Sequence, residues 1–157
     1  MIRVLFVCLG NICRSPMAEA VFRSQVQQAG LSDRIQIDSA GTANWHVGKP
    51  PHEGTRRILD EKNISYEGMT ARQVKASDFQ QFDYIIAMDE SNVSDLNQLF
   101  GQETPKAKLY RLLEFGPERE VKDVPDPYYT GNFDEVYEMV ETSCQHLLEW
   151  IREKERL

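Results

Sequence analysis

Hydrophobic and polar positions along the chain follow two alternating periods. Val4 to Cys8 is a short unbroken apolar run, the pattern of a strand covered on both faces. It leads directly into SPMAEAVFRSQVQQA, where Ala18, Val21, Phe22, Val26 and Ala29 recur at helical spacing. Ser15 is placed to cap this helix, Pro16 fits its first turn and Gly30 closes it. Ile35 to Asp38 predicts a second strand that runs out at Ser39-Ala40-Gly41. Pro50 and Pro51 precede a helix from Glu53 to Lys62. Asp83 to Met88 predicts a third buried strand, with Asp89 as the cap of the next helix, and Ala107 to Leu112 a fourth strand. Residues 116–132 contain three prolines and two glycines and predict a long loop. Phe133, Val136, Tyr137, Val140, Cys144, Leu147, Leu148 and Ile151 then stripe a long final helix.

Strands that alternate with helices predict an α/β fold, a parallel sheet flanked by helices on both sides. No repeat, linker or low-complexity segment interrupts it, so residues 1–157 are expected to form one domain. In such sheets, sites lie beyond the carboxyl ends of the strands, and Cys8 occupies one such end. A loop as long as 116–132 inside a compact domain points to function.

Composition removes several classes of function. The chain carries 25 acidic and 18 basic residues, a net charge of −7, which argues against nucleic acid as a partner. Its three cysteines, Cys8, Cys13 and Cys144, do not suit a secreted disulfide scaffold, and a reducing cytoplasm is the expected setting. No apolar window is long enough to span a membrane. Neither GxxxxGK[ST] nor a GxGxxG following a strand occurs. Cys8 and Cys13 lack a second pair at metal-ligand spacing, so neither zinc nor a cofactor is implied.

The junction CLGNICRS at 8–15 can carry chemistry. A helix N-terminus offers free backbone N–H groups and partial positive charge, and a short loop curling into it makes a cradle for a phosphate-sized anion. Gly10 supplies backbone freedom and Asn11 tolerates the left-handed region. Arg14 offers a planar fork for two phosphate oxygens. A cysteine inside that field is expected to be a thiolate at neutral pH, and Ser15 can donate a hydrogen bond to it. The spacing therefore lets one ring of donors serve both the anion and the sulfur of Cys8.

CLGNICRSPMAEA, DSAGT at 38–42, ARQV at 71–74, FDYIIAMDESN at 82–92 and DPYYTG at 126–131 together resemble the low-molecular-weight protein tyrosine phosphatases, in order and over nearly the whole chain. The resemblance implies a four-stranded parallel sheet and a metal-free phosphomonoesterase that hydrolyses protein phosphotyrosine through a phosphocysteine. It implies Cys8 as nucleophile, Arg14 as phosphate clamp, Asp126 as general acid and Ser15 as hydrogen-bond donor to the thiolate. It further implies that Asn11 and Ser39 hold the loop in shape. Cys13 resembles a neighbour that forms a reversible disulfide with the nucleophile. Leu9, Ile12 and Trp45 resemble pocket-wall residues. Tyr128 and Tyr129 follow the acid and either wall the pocket for a flat phenyl group or pack the loop. One position departs from the pattern: many relatives have a histidine two residues before Ala-Arg, where this chain has Met69 and Thr70. A branch acting on phosphoarginine resembles CxGNTCRS, and Ile12 argues against it.

The expected partners are tyrosine-phosphorylated proteins or small aryl phosphates. Two other readings remain. A thioredoxin-coupled arsenate reductase resembles the same fold and loop but needs a further cysteine pair, and only Cys144 is left, on the apolar stripe of the final helix. A non-catalytic phosphate-binding domain would not need Asp126. Within the acid loop, Glu120 and Asp123 lie beside Asp126, the only acid held between two prolines. His46, His52 and His146 have no visible partners in the sequence.

Overall fold

The computed structural model describes residues 1–101, 105–117 and 122–157; Glu120, with the rest of 118–121 in the 116–132 segment, lies outside them. Four parallel strands form the sheet: β1 (Ile2–Cys8), β2 (Ile35–Gly41), β3 (Tyr84–Ala87) and β4 (Lys108–Arg111), in the order β2-β1-β3-β4. Strand alternation divides the core. Val4, Phe6 and Cys8 of β1 and Tyr84 and Ile86 of β3 face one apolar cluster, while Leu5, Val7, Ile85 and Ala87 face a second. The first cluster is roofed by α1 (Arg14–Gln28), α2 (Glu53–Glu61) and α6 (Phe133–Glu155). The second is covered by α3 (Asp78–Gln81) and α4 (Glu90–Phe100). The expected two-sided α/β sheet with four parallel strands is what forms.

The strand ends are aligned. Cys8 pairs in register with Gly41, Val7 with Ala87, and Ala87 with Arg111, so the β1–α1, β2–α2 and β3–α4 connections emerge at one edge of the sheet. This edge is where the parallel architecture gathers side chains from distant segments.

Three sequence expectations change. Ser15 does not cap α1: the helix starts at Arg14, Cys13 occupies the cap position, and no side chain caps it. The Ser15 hydroxyl is drawn to the Cys8 sulfur instead, and the first-turn N–H groups stay available to an anion. Leu112 leaves β4 and opens a 3₁₀ turn, Leu112–Phe115. The 116–132 segment is not loop throughout: Pro127–Thr130 form α5, one short turn whose cap is Asp126. Proline at the first position and glycine at 131 give that turn its start and stop. The short α3 had no periodic signal of its own.

Candidate active site

Asn11 organises the loop between β1 and α1. It is almost fully buried and adopts a left-handed backbone, φ 57°, which asparagine tolerates better than most residues. Its backbone N–H donates to Cys8 Sγ at 3.2 Å. Its side-chain oxygen accepts from the Arg72 N–H at 3.0 Å, and its amide nitrogen donates to Ser15 Oγ at 2.8 Å and Ser39 Oγ at 3.0 Å. One side chain thus ties the loop to β2 and to the segment before α3. Met69 and Thr70, in place of the expected histidine, border a void of about 10 Å³ beside Asn11 and Ser39. The Asn11 side chain is held by the Arg72 N–H, which donates to it, and by the Ser15 and Ser39 hydroxyls, which accept from it.

Cys8 sits at the floor of a cleft of about 210 Å³, 2% exposed, with Ser15 Oγ 3.0 Å from its sulfur. Two groups, the Ser15 hydroxyl and the Asn11 N–H, converge on the sulfur, the N–H as donor and the hydroxyl at hydrogen-bonding distance. Cys13 lines the same cleft, but burial, with the Cys8 sulfur and the Asp126 carboxylate adding to it, pushes its thiol up to about 12. Cys13 therefore stays neutral at physiological pH. Cys144 is fully buried on α6 away from this edge, and burial raises its thiol as well.

Arg14 is 2% exposed and held at one end. Its Nη1 donates to Asp89 Oδ2 at 2.6 Å and to the Val124 carbonyl at 3.0 Å. Burial alone would lower the guanidinium's pKa; the Cys8 sulfur and the Asp89 and Asp126 carboxylates outweigh it and keep the charge secure. Nε has no partner among the described residues, and Nη2 meets only Asp126 Oδ2, at 3.4 Å. The Nε–Nη2 edge is the side-on fork that two oxygens of a phosphate can occupy. An orphaned, buried donor in an uncapped helix-start loop fits an anion, not an apolar ligand.

Asp126 faces this fork across the cleft. Its Oδ1 accepts from the Tyr128 N–H at 3.1 Å, so it caps its own short helix. The loop that carries it is pinned to the sheet edge. Val124 N donates to the Met88 carbonyl at 2.9 Å, and Asp123 Oδ1 accepts from the Glu90 N–H at 3.0 Å. Asp123, a neighbour in sequence, thus anchors the loop and Asp126 enters the cleft.

Leu9, Gly10, Ile12, Trp45, Tyr128 and Tyr129 also line this cleft. Trp45 is 63% exposed and Tyr129 70%, so these rings form a rim, not a core. Three contributions escaped the sequence reading. His46 lines the cleft; a Cβ added at Gly10 would come within 3.0 Å of its ring, so this glycine permits the close approach. His52 accepts from the Gly54 N–H, stacks on Phe133 at 5.2 Å and meets the edge of Tyr128 at 5.8 Å, buttressing the rim. Asp89, read as a helix cap, divides its oxygens: Oδ1 caps α4 through the Asn92 N–H while Oδ2 holds Arg14. A lone histidine or aspartate in a loop gives no local signal of such distant contacts. His146 lies outside the cleft, with Nδ1 2.8 Å from the Phe115 carbonyl.

This arrangement has counterparts in known proteins. The low molecular weight protein-tyrosine-phosphatase YfkJ of Bacillus subtilis is 52% identical over 157 residues, the whole of both chains. Its crystal structure matches with a TM-score of 0.92 over 98% of this chain and 96% of that one, at 51% identity. PtpA of Staphylococcus epidermidis, of the same description, is 51% identical over 151 residues, 96% of this chain and 94% of its own. The crystal structure of DARP, described as a drosophila arginine phosphatase, matches with a TM-score of 0.88 at 34% identity, over 95% of this chain and 97% of that one. The model of the family described as low molecular weight phosphotyrosine protein phosphatase matches residues 3–157, and the chain belongs to that family.

Proposed function

We propose that phosphotyrosine hydrolysis, the reaction of this family, runs here through Cys8, Arg14 and Asp126. The Cys8 thiolate attacks phosphorus in line with the ester oxygen. The phosphoryl oxygens take the loop N–H groups and the Nε–Nη2 edge of Arg14, where transition-state charge accumulates. The S–P bond forms as the P–O bond breaks, and Asp126 gives its proton to the departing phenol oxygen. Water then attacks the phosphocysteine, Asp126 takes a proton from it, and thiolate and inorganic phosphate result. The observation that carries this reading is the convergence, in one cleft, of a sulfur approached by the Ser15 hydroxyl and the Asn11 N–H, a buried arginine whose Nε is unpartnered among the described residues, and a carboxylate that meets the same guanidinium edge at Nη2.

Substrates of this reading are tyrosine-phosphorylated proteins and small aryl phosphates. The rim of Trp45, His46, Tyr128 and Tyr129 supports a planar ring above the phosphate. Ile12 supports phosphotyrosine over phosphoarginine, because an apolar side chain at this wall offers no partner to a guanidinium. The reading takes residues 1–157 as one catalytic domain, supported by the family match from residue 3 to 157. Among the described residues no helix is long and apolar enough to cross a membrane. A cytoplasmic setting suits a mechanism that needs the Cys8 thiol reduced, and all three cysteines are free. Cys13, beside Cys8 in the cleft, is proposed as its reversible disulfide partner. The arsenate-reductase route finds no support, since the remaining cysteine, Cys144, is buried in α6.

The test is steady-state hydrolysis of p-nitrophenyl phosphate and of phosphotyrosine, phosphoserine and phosphoarginine peptides by wild type and Cys8→Ser. The reading expects phosphotyrosine to be strongly preferred and the serine variant to be inactive. Turnover surviving in Cys8→Ser, or phosphoarginine preferred, would overturn it.

A further inference from the structure

Behind the loop lies a buried carboxylate that the mechanism does not use. Glu19 is on the second turn of α1 and is 5% exposed. Its Oε1 accepts from Ser39 Oγ at 2.6 Å, and Oε2 is held by Arg23 Nη2, one turn further along the helix. Arg23 also donates to the Ile37 carbonyl, so the pair is fastened to β2.

The directions of the hydrogen bonds around Asn11 are forced. The Arg72 backbone N–H can only donate, so it fixes which end of the Asn11 amide is oxygen. Both Asn11 amide hydrogens then go to hydroxyls, one to Ser15 and one to Ser39. Each hydroxyl, having accepted, must place its own hydrogen elsewhere. Ser15 is left to donate to the Cys8 sulfur, and Ser39 needs an acceptor away from Asn11. Glu19 is the acceptor Ser39 has among the described residues, and Met69 and Thr70 supply none.

We propose that Glu19, held by Arg23, is a positioning residue for catalysis: the fixed acceptor that aims Ser39 at Asn11 and so keeps the Ser15 and Asn11 donors on the Cys8 sulfur. The inference rests on Cys8 as the nucleophile. The chain runs Glu19–Ser39–Asn11–Ser15–Cys8 without a gap, each link within hydrogen-bonding distance. Burial raises the Glu19 carboxyl's pKa, and the Ser39 and Arg23 contacts offset this only in part. An amide in its place cannot serve both neighbours. Its oxygen can face Ser39 only if its NH₂ is turned on the Arg23 guanidinium, donor against donor.

A double-mutant cycle separates positioning from stability. Glu19→Gln, Ser39→Ala and the double variant are assayed for kcat on p-nitrophenyl phosphate and for the rate of Cys8 alkylation by iodoacetamide, with thermal melts alongside. The expected result is a kcat about tenfold lower and slower alkylation in Glu19→Gln, with less than a twofold further effect of Glu19→Gln once Ser39 is alanine. If Glu19→Gln does not fold, Arg23→Gln, at a half-exposed site, takes its place, with an expected loss of about threefold that also vanishes in the Ser39→Ala background. Unchanged kcat and alkylation, or equal losses in both backgrounds, would overturn the proposal. Cys8→Ser is run in parallel. Its inactivity alongside an unaffected Glu19 variant would refute this inference alone, whereas turnover by Cys8→Ser would refute the nucleophile itself.

Discussion

Asp126→Ala removes two things at once, and the structure separates their effects. The first is the proton for the leaving phenol. General acid catalysis contributes about 10²–10⁴ in rate, or ~2.7–5.4 kcal/mol at ~1.36 kcal/mol per tenfold. The second is a competitor for Arg14, since Asp126 Oδ2 lies 3.4 Å from Nη2 on the edge that a phosphate would take. At that separation and an effective dielectric of ~20, the gross attraction is ~5 kcal/mol. Asp126 is 22% exposed, and solvent leaves a pair of this kind a net value of about 1 kcal/mol at most. Phosphate should therefore inhibit Asp126→Ala about fivefold more tightly while kcat collapses. The kcat loss should also depend on the leaving group. p-Nitrophenol departs with little help, so its ester should lose about 10², whereas phenyl phosphate and phosphotyrosine should lose nearer 10⁴. The assay is kcat across a series of substituted aryl phosphates, with the phosphate inhibition constant measured for each protein. Near-wild-type turnover, or one uniform loss across the series, would refute the acid role. Weaker phosphate binding would refute the competition.

Asp89→Asn keeps the α4 cap but removes the charge that holds Arg14 at 2.6 Å. Because Asp89 is 19% exposed and Arg14 keeps the Val124 carbonyl, we expect a stability loss of ~1–2 kcal/mol and at least ~10-fold in kcat/KM, read by thermal melt and steady-state kinetics. Gly41→Ala would bring a Cβ within 2.8 Å of the Leu9 carbonyl and 3.1 Å of the Gly10 carbonyl carbon, all backbone, so the phosphate loop must move. A loss of ~1–3 kcal/mol in stability and a phosphate affinity at least tenfold weaker are expected by denaturant melt and phosphate titration. If Cys13 is the proposed partner, mild peroxide should take the Cys8 sulfur to sulfenic acid and the Cys13 thiol should condense with it, releasing water and forming a disulfide. Activity recovered by dithiothreitol should fall sharply in Cys13→Ser; equal recovery would exclude the disulfide.

What the sequence made legible was governed by short-range pattern. The unbroken run Val4–Cys8 faces apolar clusters on both sides, so its burial shows without an alignment of neighbours. The strand–loop–helix junction placed Cys8, Asn11 and Arg14 within one cradle because seven consecutive residues leave little room to put them elsewhere. The sequence offers Ser15 two roles, helix cap and partner of the Cys8 sulfur; the hydroxyl lies on the sulfur and leaves the cap position to Cys13. Glu19 was passed over for a different reason. Residues 14–22 are buried on every side, so the first half of α1 has no polar face against which an inward carboxylate would stand out. His46, His52 and the second oxygen of Asp89 act through contacts with segments distant in sequence, and only the sheet edge brings these together. The one-turn α3 and α5 are too short for a period to register.

The most direct test of the central claim is acid quench of Asp126→Ala during turnover of an aryl phosphate, followed by peptide mass spectrometry. A single phosphoryl group on the peptide bearing Cys8, held through sulfur and absent from Cys8→Ser, is the predicted result. A phosphoryl group on any other side chain, or turnover with no covalent species in a Cys8→Ser protein that still hydrolyses the ester, would contradict it.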